Sequence, residues 1–423
     1  MAELLQQARV IDPVSETDQL ADVLIENGEI IKVAATITEI PSDTQIRNCQ
    51  GLILGTGLID LYSHSGEPGF EERETLNSLL QAAAHGGFTR INILPDTHPI
   101  IDNPAPVTQL QKISQNISTI SNLFPIPHLN IWGAISQNIS AQQLNEFADF
   151  ATEVIGFTDA KPLDNLAMVR RVLEYLQPFN KTVAFWACNT QLRGNGIARE
   201  GADALRLGLP FIPESAETSA IAALLELVAF SNTPVHIMRV STARSVELIA
   251  SAKSRGLPIT ASTTWMHLLL DTKALKSYNP SLRLDPPLGN KSDMKALRKG
   301  VQEGIIDAIA IDHTAYTYEE KTVAFADAPP GAIGYELALS LLWQNLVETG
   351  EFTPLELWRL LSNRPAECLQ QKVSKIAPNH KSELTLFDPQ QTWTVKQTNL
   401  HTLSANTPWY GQQLKGKVIQ TWC

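Results

Sequence analysis

GLIDLYSHSGEPGFEERETLNSLLQAAAHGGFTRINILPDTHPIIDNP, residues Gly57 to Pro104, holds the end of one apolar, β-rich run and the whole of the next. On a strand, side chains at i and i+2 project to one face, so two imidazoles at that spacing can grip one cation. Tyr62-Ser63-His64 supplies one imidazole and one phenol. A phenol binds a cation only as phenolate, at a cost set by its pKa of about 10.

Working outward, eight such runs alternate with amphipathic helical patterns, which is the signature of a parallel βα architecture. They are LILGTGLIDLYSHS, TRINILPDT, LNIWGAI, EVIGFTDA, TVAFWACN, VHIMRVST, PITASTTW and IDAIAIDHTAY. Between them the periodicity predicts helices over Asn165 to Leu176, Thr218 to Phe230 and Ser245 to Ala252. Eight strand-helix units over roughly 300 residues fit a TIM (β/α)8 barrel with insertions, whose core is typically about 250 residues. A doubly wound open sheet is the alternative, but no G-x-G-x-x-G follows the first strand. Both ends read as short strands with turn signals such as Asn27-Gly28, and they are expected to meet in a small composite β-domain of residues 1–54 plus 366–423. The barrel then occupies residues 55–365.

The 423 residues are 43% hydrophobic and 18% charged, ordinary globular material without a disordered stretch. A net charge of -11 without a long run of Lys and Arg argues against nucleic acid or an anionic membrane as partner. The start lacks a basic region leading into an apolar core, and no stretch of about 18 apolar residues occurs, so a cytoplasmic protein is expected. Cys49, Cys188, Cys368 and Cys423 show no C-x-x-C spacing, which suggests neither a zinc knuckle nor a disulfide framework.

The quoted segment resembles the first barrel segment of the dihydroorotases, amidohydrolases of pyrimidine biosynthesis whose pattern reads D-x-H-x-H-x-R-E-P-G, followed by an Asn-bearing loop. LTLFDP and LKGKVI near the C-terminus resemble the composite sandwich of that superfamily. The resemblance covers nearly the whole chain. It implies a zinc-dependent site at the C-terminal ends of the strands and lets its parts be followed strand by strand.

In strand one the first family histidine corresponds to Tyr62 and the second to His64. In strand four, GFTDAK places Asp159 at the bridging carboxylate, with Lys161 on the same face as a less favoured candidate for carbamylation. The strand-five histidine falls at Trp186, whose indole has no lone pair for a metal. The strand-six histidine falls at Arg239 in RVST, while His236 is expected on the opposite side of the strand. In strand eight, IDHTAY retains Asp312, which would be general acid/base and ligand, and its loop partner histidine is Tyr316. The substrate positions change too: the arginine of R-E-P-G is Gly66, and the asparagine that helps hold the substrate carboxylate is Asp96.

A unit charge about 4 Å from another at an effective dielectric of 20 is worth about 4 kcal/mol, and a dication doubles this. Arg239 and zinc would therefore exclude each other. Glu67-Pro68-Gly69 and Asp285-Pro286-Pro287-Leu288 preserve turns, and the remaining histidines show no ligand spacing. Arg239 is expected to take the place of the cation and to pair with Asp159, Asp312 or both, because two converging carboxylates without a cation would force one pKa up.

The resemblance thus implies a degenerate dihydroorotase-like protein with no metal and no catalytic residue, keeping His64, Asp159 and Asp312 as remnants. It resembles the non-catalytic chains that associate with the catalytic subunit of aspartate transcarbamoylase, in a homo- or hetero-oligomer. The competing reading is an active metal-dependent amidohydrolase with a reduced site of His64, Asp159 and Asp312.

Overall fold

The computed structural model describes residues 2–120, 125–162 and 165–423. Each of the eight apolar runs yields one parallel strand: β1 Leu58–Ile59, β2 Phe88–Ile93, β3 His128–Gly133, β4 Gly156–Phe157, β5 Thr182–Trp186, β6 Val235–Met238, β7 Ile259–Thr264 and β8 Ala308–Ala310. Among the described residues they follow one another round the sheet in chain order. The curl is drawn together beyond the ends of β1 and β8, where Asp312 N donates to Tyr62 O (3.2 Å) and His64 N to His313 O (2.9 Å). The result is a TIM-like barrel.

Alternation along the strands sorts the core. Ile91, Ile237 and Ile309 face outward and join helix residues such as Leu79, Val172, Leu225 and Ile249. Tyr62, Trp132, Ala184, Trp186, Met238 and Ala310 fill the interior. The predicted helices appear as Leu166–Leu176, Ser215–Ser231 and Ala243–Ser254, the first capped by the Asn165 side chain and the third by that of Thr242. The second begins earlier than its apolar periodicity indicates. Its first turn turns Glu217 inward, where the carboxylate accepts from Ser241 N (2.9 Å) and Thr242 N (3.2 Å).

The first run is not one strand. Ile53–Thr56 belongs to a second sheet, and only Leu58–Ile59 enters the barrel. Gly57 makes the junction where a Cβ would run into the Thr89 side chain. The second sheet takes Ala2–Asp12, Thr17–Glu26, Glu29–Ala34, Gln45–Asn48 and Ile53–Thr56 from one end of the chain. From the other end come His380–Lys381, Leu384–Thr394 and Gln413–Trp422. Asn27 and Gly28 both have positive φ (51° and 78°), as a tight two-residue hairpin requires. Leu384 to Phe387 pair antiparallel with Ile53 to Thr56, and Trp358 Nε1 donates to Thr56 O (2.8 Å), tying this sheet to the helix Pro354–Leu361.

Asp60 fastens β1 to the β8 end. Fully buried, it accepts from Ser63 Oγ (2.5 Å), Ile311 N (2.9 Å) and Tyr335 OH (2.9 Å). Burial pushes its carboxyl up to about 7, with those donors offsetting only part of the effect. The folded chain therefore keeps a proton that the unfolded chain releases near pH 4, so stability falls as pH rises through that window and levels off above about 7. The slope is bounded at about 1.4 kcal/mol per pH unit for one proton. Asp60→Asn is expected to flatten this part of the profile, as read by urea unfolding at a series of pH values. An unchanged slope in the variant would assign the titration to another group.

Candidate functional site

Past the C-terminal ends of the strands, left-handed backbone breaks the alternation at Arg239 and Asp312, as it does at Ala160 (φ 55°). Arg239 (φ 57°) and Asp312 (φ 53°) both adopt the left-handed region, each just past its strand. That turn swings the Arg239 side chain over the barrel floor, where it is 4% exposed. Its guanidinium grips Asp312 in a two-pronged pair, Nε to Oδ2 at 2.9 Å and Nη2 to Oδ1 at 2.6 Å. Burial works against the charge, but the charge and hydrogen bonds of Asp312 hold the guanidinium pKa above its usual value.

The substituted positions close around this cation. Trp186 lies 5.0 Å and Tyr62 5.7 Å from Arg239 Cζ, measured to the ring centroids, so both residues offer it a π face. Arg239 Nη2 also donates to His64 Nε2 (3.0 Å), leaving that nitrogen as an acceptor. The opposite nitrogen, Nδ1, then donates to Asp96 Oδ2 (2.7 Å). Burial pushes Asp96 up, and His64 and Arg239 more than offset this, so its carboxyl titrates below the ordinary value.

His236 departs from the expected placement on the opposite side. Residues 236 and 238 face the barrel interior, and the left-handed turn at Arg239 brings that side chain inward as well. Beneath Arg239 runs a relay of hydroxyls: Arg239 N donates to Tyr62 OH (3.1 Å), which meets Ser262 Oγ (3.0 Å), which meets His236 Nε2 (2.8 Å). His236 Nδ1 lies 2.8 Å from Thr260 Oγ1. Burial drives the His236 pKa down to about 3, so the ring is neutral. Burial likewise drives the Tyr62 phenol above its ordinary value, away from the phenolate a cation would need.

Asp159 does not join the pair. Its Oδ1 accepts from Ile135 N (2.8 Å) and Ser136 N (2.9 Å), and its Oδ2 from Ser136 Oγ (2.6 Å). It is the anchor of the loop after β3, and burial raises its pKa despite those donors. Of the two carboxylates expected around Arg239, only Asp312 is engaged. The three remnants therefore do not fit a zinc ion: Asp159 is spent on a loop, Asp312 on a guanidinium, and His64 on Arg239 and Asp96. Among the described residues, no group of three or more His, Cys, Asp or Glu side chains is placed to hold a metal.

The positions that the resemblance assigns to the substrate are held in other contacts. A Cβ at Gly66 would run into the Glu74 carbonyl and lie 2.8 Å from the Phe70 carbonyl, so the loop leaves no room for a side chain at this position. Tyr316 packs against Arg73, whose Cζ lies 5.0 Å from the ring centroid, and burial lifts its phenol to about 12. A cavity of about 220 Å³ persists above the floor, walled by Phe70, Trp186, Trp265 and Leu284 and edged by Arg73 and Lys161. Arg73 is fixed to Glu320 through Nε (3.0 Å) and Nη2 (2.5 Å). Asp285, read from sequence only as part of a turn, pairs with Arg193 in the cavity wall. Nothing in the local sequence marks Arg73 or Arg193, whose partners lie far along the chain.

Arg239→Ala is expected to cost about 3–5 kcal/mol by stranding Asp312, with part recovered in Arg239→Ala/Asp312→Asn, both read by urea unfolding. Arg239→His alone is expected to leave zinc affinity unrestored, because Asp159, Tyr62 and Trp186 still withhold ligands; stoichiometric zinc in calorimetric titration would contradict this. Gly66→Arg is expected to destabilise by about 1–3 kcal/mol through backbone overlap, without gain of carboxylate binding.

Comparisons with known proteins agree with this architecture. The description "Amidohydrolase family" matches residues 134–423. A "Probable dihydroorotase-like protein" of Synechocystis sp. is 42% identical, with 98% of each chain covered. The "Dihydroorotase" of Syntrophus aciditrophicus is 36% identical over 100% of this chain and 97% of its own length. Among solved structures, the L-hydantoinase (dihydropyrimidinase) from Arthrobacter aurescens superposes with a TM-score of 0.83 at 18% identity, covering 99% of this chain and 94% of its own. A dihydropyrimidinase from Brevibacillus agri gives a TM-score of 0.79 at 19% identity, covering 99% and 93%.

Proposed function

Because this chain belongs to the amidohydrolase family and has dihydroorotase-like relatives along its whole length, we propose that it is a dihydroorotase-like protein of pyrimidine biosynthesis that has lost catalysis. In this reading it serves as a structural subunit for the assembly of aspartate transcarbamoylase in the cytoplasm. Residues 1–54 and 366–423 act as a composite domain in that oligomer.

The observation that carries the loss of catalysis is the Arg239–Asp312 pair at the barrel floor. A fixed positive charge stands where the resemblance implies a dication, and the residue implied as acid/base is neutralised by it. General acid–base work needs a group free to exchange its proton near the operating pH. Asp312 has both carboxyl oxygens committed to the Arg239 guanidinium. The assembly role rests on the resemblance of the chain and on the persistence of a complete scaffold around an altered site. Fold alone does not carry such a role.

The test compares the source organism's aspartate transcarbamoylase purified with and without this chain. Native mass, transcarbamoylase activity and bound zinc are read on the same samples. The expected outcome is a complex whose activity depends on the chain, while the chain itself brings no zinc. A stable free protein carrying stoichiometric zinc and hydrolysing dihydroorotate would overturn the proposal.

A further inference from the structure

Away from the barrel mouth, uncompensated positive charge gathers on one side of this acidic chain. The helix Lys291–Gln302 stands between β7 and β8 and buries Leu297, Gly300 and Val301. Lys291, Lys295 and Lys299, four residues apart, form a stripe on its exposed side. Lys299 is held to Glu303 (3.6 Å) and Arg298 to Glu351, but Lys291 and Lys295 have no acidic partner among the described residues. Asp293, the one acid of the helix, is 4% exposed and accepts from the backbone N of Asn290 and of Ala243, both at 2.9 Å. Two more exposed lysines, Lys273 and Lys276, sit on the short helical segment Thr272–Ser277, whose first residue donates its N–H to Gly289 O (2.9 Å) just before the helix. Cations at a helix N-terminus oppose the helix dipole, so Lys291 and Lys295 do not stand there for the sake of the helix.

The other side of the barrel is the negative counterpart. From Ile113 to Ala160 the chain holds no Lys or Arg. In the loop after β3, Glu146, Asp149 and Glu153 are exposed and make no ion pair among the described residues. Glu146 and Asp149 join Asp102 around a pocket of about 250 Å³, whose wall includes the amides of Asn103, Asn138 and Asn145. Arg171 borders this face across a neighbouring groove and leaves the pocket itself without a cation in its wall. The loop after β3 and the helix before β8 are four places apart in the eight-stranded order, half a turn round the barrel.

We propose that the lysine face of the helix Lys291–Gln302 docks on the acid-rimmed pocket of a second copy of this chain, in a head-to-tail contact. The complement of the lysine face is carried by the chain itself: the pocket presents carboxylates and amide oxygens to an incoming ammonium. Because the two faces lie on opposite sides of one barrel, two copies cannot satisfy both at once. Each contact leaves a lysine face at one end and a pocket at the other, so association continues past a dimer into a ring or a chain. A contact between one helix face and one pocket is at the small end of interface sizes, which makes it reversible. The net charge of -11 opposes the approach of two copies, but at physiological salt exposed charges more than about 8 Å apart are largely screened, while pairs in contact are screened much less. This contact concerns the chain alone and does not depend on the aspartate transcarbamoylase reading.

Sedimentation velocity of the full-length chain at physiological salt tests this. The wild-type mass is expected to rise with concentration past that of a dimer. Lys291→Glu/Lys295→Glu and Glu146→Lys/Asp149→Lys are each expected to weaken self-association about tenfold or more, because each turns attraction at the contact into like-charge repulsion. Mixed in equal amounts, the two variants are expected to associate again, since one carries acids at both places and the other carries bases at both. Circular dichroism establishes that each variant is folded. A wild-type chain that stays monomeric at every concentration, or folded variants that fail to associate on mixing, would overturn the contact. It is equally overturned if the free chain does not self-associate and Lys291→Glu/Lys295→Glu instead abolishes binding to the transcarbamoylase, which assigns the lysine face to that partner.

Discussion

A guanidinium buried at the floor of a barrel has to be neutralised, and Asp312 does so at two oxygens. Much of the surrounding arrangement follows from that requirement. A charge in this position costs several kcal/mol of desolvation unless its partners are well placed. The partners here are a carboxylate on the next-but-one strand end, an imidazole from β1 and two aromatic faces. Each stands where the resemblance implies a ligand or a catalytic group, so the altered residues work as one set around one cation. Arg239 without Tyr62 and Trp186 would lack its flanking rings, and Asp312 without Arg239 would be a half-buried acid without its cation.

The same economy extends below and beside the floor. Tyr62 is at once a π face for Arg239 and the first hydroxyl in a relay through Ser262 to a neutral His236. Asp159 takes no part in the central pair and accepts three hydrogen bonds from the loop after β3. The backbone packs too closely at Gly66 to admit a side chain, and Arg73 supplies a charge to the mouth, locked to Glu320. A cavity remains, but its charges are largely committed to one another, which distinguishes it from a site awaiting an ion.

The eight parallel strands were legible because apolar runs of this length, spaced by helical periodicity, have few other ways to bury themselves. Where reading failed, the reason was local backbone freedom. The first run looks continuous from Leu52 to Ser65, yet Gly57 divides it between two sheets, since a junction leaves no mark on hydrophobicity. Strict alternation puts His236 and Arg239 on opposite sides of the strand, and the left-handed turn at Arg239 brings both inward. Such a turn at a non-glycine residue is uncommon and has no compositional signal.

The sequence by itself determined the barrel and the identity of the groups at each strand end, because these follow from periodicity; that a cation stands where metal-binding side chains are implied comes from the resemblance alone. Only the tertiary structure decided how they pair. Of the two acids, Arg239 pairs with Asp312 only, while Asp159 is held by the loop amides of Ile135 and Ser136. The partners Arg73–Glu320, Asp285–Arg193 and His85–His401 are separated by long stretches of chain. No local pattern encodes such contacts; they arise when the closing of the barrel brings distant loops to one face.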